Sequence, residues 1–431
     1  MSIYPLFYLL VVTSGWLVAF WRGPIWALVV YVFIYFNIPA HQWWGSQVPD
    51  LRWSLLAAAV LLTSCMMHGD KLTPRSSSQN LPGVFLLLLL VWMMAISPFG
   101  PDPGRSWNKV YDFFRYVLIF FLINRVIRDF TKYRLFVAML LVCTFYLSVL
   151  AHHYFSGSRL DGVGLPDASD ANMLAALVLL VLPLYVAMFV TEQKWLRLLP
   201  LAAMVMVLNM FVMCGSRGAF LGLIVQGGMA LPILRRQVGL FRALACCLIV
   251  VACLFRLMSD QYKDRLLGLE QGLQNESGEM GAVSAGRTEI WKYGLLMVRD
   301  YPLGAGGGAF RGLSPLYIPG SLLTGGERAS HNTYLLVLVE QGGVGLIIYF
   351  GFIFALFRIL FRAIKQARGK ELSATQQKVL YHANAVAIGL AGFWTASFFI
   401  DRLYFEGIYL ISALVPVLVR LLENPEAENN M

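Results

Sequence analysis

The chain is poor in charge. Asp, Glu, Lys and Arg make up 13% of its 431 residues, against 58% hydrophobic side chains. That balance, with a mean hydropathy of +0.66, excludes a soluble globular protein. The cysteines show no CxxC spacing. Cys65, Cys143, Cys214, Cys246, Cys247 and Cys253 lie in or beside apolar runs, which argues against a disulfide framework or a metal site and for small buried hydrophobes. Acid is scarcer than base, with 24 Asp and Glu against 34 Lys and Arg and a net charge of +10. No nucleic-acid-binding motif accompanies that excess, so nucleic acid is not an expected partner. Cytoplasmic loops of membrane proteins carry such an excess anyway. The apolar runs lack the alternation of barrel strands. The first of them, Tyr4 to Trp21, lacks a basic leader and an A-x-A cleavage site, so it reads as a retained helix.

What the chain has is hydrophobic length. Apolar runs lie at about 4–21, 25–39, 53–68, 83–99, 110–124, 135–155, 171–190, 196–214, 218–234, 241–258, 332–361, 382–400 and 403–420, several of them near the roughly 17 to 25 residues that cross a bilayer as a helix. Only helices or closed barrels can do so. The fold class is therefore an all-α polytopic membrane protein with twelve or thirteen spanning helices. Three short segments are basic: Arg125, Arg128, Lys132 and Arg134; Arg235, Arg236 and Arg242; and Arg362, Lys365, Arg368, Lys370 and Lys378. The positive-inside rule makes these cytoplasmic. Residues 1–258 then form an N-terminal helix bundle, 259–331 one long outward loop, and 332–431 the C-terminal helices with a short tail. Loops longer than about 12 to 15 residues are commonly functional or disordered. Within this one, Ile290, Tyr293, Leu296 and Met297 have the spacing of an amphipathic helix on the membrane surface. Tyr301-Pro302 ends that helix, and the GAGGG that follows gives a tight turn.

Candidate chemistry collects on the outward face. His331 stands where the loop meets an apolar run, with Ser330 or Asn332 available as N-cap. The helix dipole and nearby arginines disfavour an imidazolium there, leaving a neutral ring fit to act as a general base; an interfacial cap is the competing reading. Arg217 lies in a tight Gly-Ser-Arg-Gly break between two apolar runs, where an arginine is costly unless it pairs or faces water. Arg287 and Arg265 read either as headgroup contacts or as forks for diphosphate oxygens, to which helix N-termini would add a further anion site. Arg159, Asp161, Asp167, Asp170 and Asn172 crowd one loop, and Asp401-Arg402 lies at the last turn. None of these forms a motif for a hard cation. Asp112 and Arg115, three apart, read as a structural ion pair. Glu340, about 13 Å into its helix, is expected to face the bundle interior.

Taken together, GRTEIW, YPLGAGGGAF, SHNTYLLVLVEQGGVGL and the GSRGAF turn resemble the O-antigen ligase and polymerase superfamily of bacterial inner membranes. The resemblance implies a multi-pass inner-membrane glycosyltransferase of the GT-C type, with its site facing the periplasm and no metal or other cofactor. In the ligases, a glycan linked to undecaprenyl diphosphate is transferred to a sugar of lipid A-core. By motif, His331 would be the base and Arg217 and Arg287 would hold the diphosphate, with Arg265, Arg159, Asn332 and Asp401 as weaker substrate-binding positions. A polymerase and a protein O-oligosaccharyltransferase are alternatives within the superfamily. Outside it stands a transporter, although transporters often place their sites near the midplane and show repeat symmetry. Here the candidates share one face.

Overall fold

A computed structural model describes residues 3–73, 80–157, 170–239 and 279–423, with isolated positions 160, 163, 165, 241, 242 and 256. Arg159, Arg265, Asp161, Asp167 and most of the 241–258 run lie outside the described residues. The described chain is helical, with one isolated bridge between Thr324 and Glu327. Nine helices before the long loop are α1 (Ile3–Arg22), α2 (Pro24–Phe36), α3 (Trp53–Met67), α4 (Leu81–Ile96), α5 (Pro103–Val126), α6 (Phe130–Tyr154), α7 (Ala171–Thr191), α8 (Leu198–Met213) and α9 (Arg217–Val238). Within and after the loop come α10 (Glu279–Asp300), α11 (Ala309–Tyr317), α12 (Thr333–Arg368), α13 (Ala374–Ala396), α14 (Glu406–Ser412) and α15 (Leu414–Glu423). Among the described residues nine helices are long and apolar enough to cross a membrane. The protein is a multi-pass, all-helical membrane protein.

Side-chain caps fix several of these helix starts. Asp102, Asp129, Asp170, Ser216, Asn332 and Ser373 each accept a hydrogen bond from a backbone N–H of the following turn, satisfying donors that a helix N-terminus leaves open. Small residues let the helices approach closely where α13 crosses α7 and α9. A Cβ at Gly222 would stand 2.5 Å from the Gly392 carbonyl oxygen, a contact no larger residue tolerates. Cys65, Cys143 and Cys214 are buried, as small hydrophobes would be.

Three elements differ from the sequence reading. The first is α12, where the apolar run beginning at residue 332 reads as one straight helix. The chain breaks it at Gly342, with φ 67 and ψ −173, a conformation open essentially to glycine alone. The break frees carbonyls that the glycine-rich turn then uses: Ala305 N–H donates to Val339 and Gly306 N–H to Glu340, both at 2.9 Å. Glu340 is buried, as expected, and its carboxylate accepts from Tyr404 Oη at 2.8 Å and from Phe310 N–H at 3.4 Å. Turn and helix are thus one docked unit.

The second is α10, which begins before Thr288 and does not simply lie on the membrane surface. Ile290 and Met297 are fully buried, and Gly294 comes so close to α12 that a Cβ there would meet Leu335 at 2.8 Å. Leu296, expected on the apolar stripe, is exposed. The third is the run 403–420, which divides into α14 and α15. Pro416 has no N–H to donate and its ring clashes with the carbonyl four residues back, so a continuous helix is blocked.

α5 is long enough to span but carries charge through its first half. Asp112 and Arg115 do pair, at 3.6 Å, and Arg115 also reaches the buried Glu406 at 3.6 Å. Tyr31 donates to the same carboxylate at 2.5 Å.

Candidate active site

The site grows from the start of α12. Asn332 caps the helix: its side-chain oxygen accepts from Tyr334 N–H at 3.0 Å and Leu335 N–H at 3.1 Å. Thr333 N–H donates to Ser397 and Leu336 N–H to the Asn332 carbonyl, each at 2.9 Å. Every donor of the first turn is therefore taken. This helix N-terminus therefore offers no anion site, since an open N–H is what such a site requires.

His331 precedes the cap, half-buried, at φ 48. Among the described residues it is the single non-glycine residue with positive φ, and such positions concentrate at functional sites. Its neighbours on both sides are held by one carboxylate. Asp401 Oδ1 accepts from the Ser330 hydroxyl and from Asn332 N–H, the latter at 3.0 Å. The Asp401 turn is itself lashed to α12: Thr333 Oγ1 donates to the Ile400 carbonyl at 2.6 Å and accepts from Arg402 N–H at 2.9 Å.

From the other side, the Trp291 indole donates to the Ser330 carbonyl at 3.0 Å. Arg287 lies one helical turn earlier, on the same face of α10, and its charge acts on the His331 ring. The imidazole sits below its ordinary pKa of 6.5, chiefly because burial disfavours the charged form. Asp401 pushes it up, Arg287 and Arg328 push it down, and Asp170 pushes it up. The ring is consequently neutral at physiological pH, the state in which it can accept a proton.

The structure thus brings together four of the residues singled out in the sequence: His331, Asn332, Asp401 and Arg287. Arg217 opens α9, half-buried, after a turn in which Gly215 has φ 57. A Cβ on Gly218 would lie 2.7 Å from Phe399, so Arg217 stands beside the turn that carries Asp401. Two further residues act on His331. Asp170, noted only as one of a crowd, caps α7 and accepts from Asn172 N–H at 2.6 Å. Arg328, three positions before His331, is fixed by its N–H to the Ser314 hydroxyl at 2.8 Å and by its guanidinium to Thr324 at 2.5 Å. Its proximity in the chain was the available signal. Among the described residues no three His, Cys, Asp or Glu side chains are grouped to hold a metal ion.

No curated protein sequence matches the chain. A family match does exist, covering the stretch that contains Arg217, Arg265, Arg287, His331 and Asn332 and leaving out Arg159 and Asp401. Residues 202–350 match the family model described as O-antigen ligase, and over that stretch this all-helical membrane protein is similar to the O-antigen ligase family.

Proposed function

We propose that the chain is an inverting, lipid-carrier-dependent glycosyltransferase that moves a glycan from undecaprenyl diphosphate to a sugar hydroxyl of lipid A-core. It acts in the bacterial inner membrane, with the His331 mouth facing the periplasm, since the basic segments lie at the other end of the helices. The observation that carries this reading is a half-buried histidine at positive φ, its neighbours tied to Asp401 and its ring under the charges of Arg287 and Arg328, within a stretch that matches the O-antigen ligase family.

In the proposed reaction His331 takes the proton of the acceptor hydroxyl. The acceptor oxygen bonds to the anomeric carbon as the bond from that carbon to the diphosphate oxygen breaks, and undecaprenyl diphosphate leaves with its electron pair. Attack from the face opposite the leaving group inverts the anomeric centre. Arg217 and Arg287 hold the diphosphate, with Arg265 and Arg159 as further donor contacts; fixed cations stabilise the developing charge without a metal. Asp401 and Asn332 position the base.

The test is transfer in vitro with purified protein, undecaprenyl-diphosphate-linked glycan and lipid A-core. Wild type should form the glycosylated core, and His331→Ala and Arg217→Ala, shown to be folded, should not. Activity surviving in His331→Ala removes the base. Longer lipid-linked glycans without core product would make the protein a polymerase.

A further inference from the structure

α12 starts just after His331 and ends in a cluster of cations thirty-odd residues along the chain. Near that end lies a cleft of about 400 Å³ between α9, α12 and α13. Its lining is apolar at Met229, Phe361 and Ile388 and, nearer the basic ends of the helices, polar at Lys365, Arg368 and Asn384. Arg368 donates to the Asn384 side-chain oxygen at 2.9 Å. Lys365 has no acidic partner among the described residues. Arg358 and Arg362 share its stripe, spaced four and three residues apart, and likewise have none.

Each half of the cleft selects against a different occupant. A water-soluble anion would leave the apolar lining uncovered, and a bare hydrocarbon chain would leave Lys365 without a counter-charge. A zwitterionic headgroup brings its own cation towards Lys365 and Arg368. What matches both kinds of lining is an amphiphile with an acyl chain and a headgroup of net negative charge. Basic pockets between membrane helices take such headgroups.

We propose that this cleft is a site for one anionic glycerophospholipid, its phosphate on Lys365 and Arg368 and an acyl chain along Met229, Phe361 and Ile388. The site lies at the opposite end of the bundle from His331 and does not depend on the glycosyl-transfer reading. It gives α9, α12 and α13 a shared lipid contact at the end where their loops are basic.

The experiment is native mass spectrometry of the purified full chain in mild detergent, titrated separately with phosphatidylglycerol and phosphatidylcholine. Wild type should retain one phosphatidylglycerol in preference to phosphatidylcholine. The double variant Lys365→Gln/Arg368→Gln should bind it about thirtyfold more weakly, from the loss of two near-surface cations. Ile388→Trp, which fills the cleft and keeps both cations, should also lose the bound lipid. Lys370→Gln/Lys378→Gln, which removes the same charge outside the cleft, should keep it. Equal retention of the two lipids by wild type would overturn the proposal. So would equal weakening in both double variants, which would mean diffuse surface charge only. Helicity and elution volume, measured for each variant, separate a lost site from a lost fold.

Discussion

If the charges around His331 tune a working base, removing a negative neighbour and removing a positive one must move the pH–rate profile in opposite directions. Asp401 favours the imidazolium and Arg328 disfavours it. A base is active when deprotonated, so the rate falls as pH drops through its pKa. Asp401→Asn lowers that pKa further and should carry the acid limb of kcat/KM to lower pH; Arg328→Gln should carry it higher. Asp401→Asn has a second effect on rate. The carboxylate oxygen serves both Ser330 and Asn332, and an amide oxygen replaces it without the charge. Hydrogen bonds to a charged group contribute about 1.5–3 kcal/mol, so loss of one such contribution should lower kcat by about 10- to 100-fold. Arg328→Gln should lower it less, because its backbone anchor to Ser314 survives. The assay is glycan transfer by purified variants across about pH 5 to 8, the range in which histidines titrate. Limbs that move the same way, or do not move while both proteins remain folded, would refute the assignment of His331 as base.

Other expectations follow from the same geometry. Gly342→Ala should lower the thermal stability of the detergent-solubilised protein, because a Cβ there would sit 2.4 Å from the Leu303 carbonyl carbon at φ 67; such backbone strain alone costs about 1–3 kcal/mol, and an unchanged melting temperature would contradict the docked turn. Glu340→Ala strands the Tyr404 hydroxyl and the Phe310 N–H, at about 1–3 kcal/mol for each unsatisfied group, whereas Glu340→Gln keeps an acceptor and should melt closer to wild type. Arg105→Ala breaks a partly exposed pair with Glu327, which such exposure limits to about 0–1 kcal/mol; a large shift on thermal melting would mean that the 320–328 loop depends on it. Transfer activity should be insensitive to EDTA, and loss that Mg²⁺ restores would remove the arginine-only account of the leaving group.

The helices and the site were legible to different degrees. Spanning helices follow from runs of apolar residues, a local property, and Asn332 as cap and His331 beside it follow from their position before such a run. The break at Gly342 was hidden because Gln-Gly-Gly inside an apolar stretch has the composition of a tolerated helix interior. Its cause lies some forty residues earlier, in a turn that needs the Val339 and Glu340 carbonyls. The contact between α10 and α12 was missed for a related reason: Gly294 carries no hydrophobic signal, yet it is what lets the two helices touch. Asp170 acts on His331 through space, from a helix cap far away in the chain, and no spacing rule links the two. Arg115 shows both sides, since its partner Asp112 was readable at three residues' distance and Glu406 was not.

The left-handed backbone at His331 also bears on why a histidine stands at that position. An L-residue in this conformation costs roughly 1–2 kcal/mol, while glycine adopts it freely and gives back only about 0.5–1 kcal/mol in chain entropy. His331→Gly should therefore leave the fold as stable as wild type, or up to about 1 kcal/mol more so, while taking away the imidazole. Stability alone would favour glycine here; a histidine standing there against that preference points to a requirement for its ring.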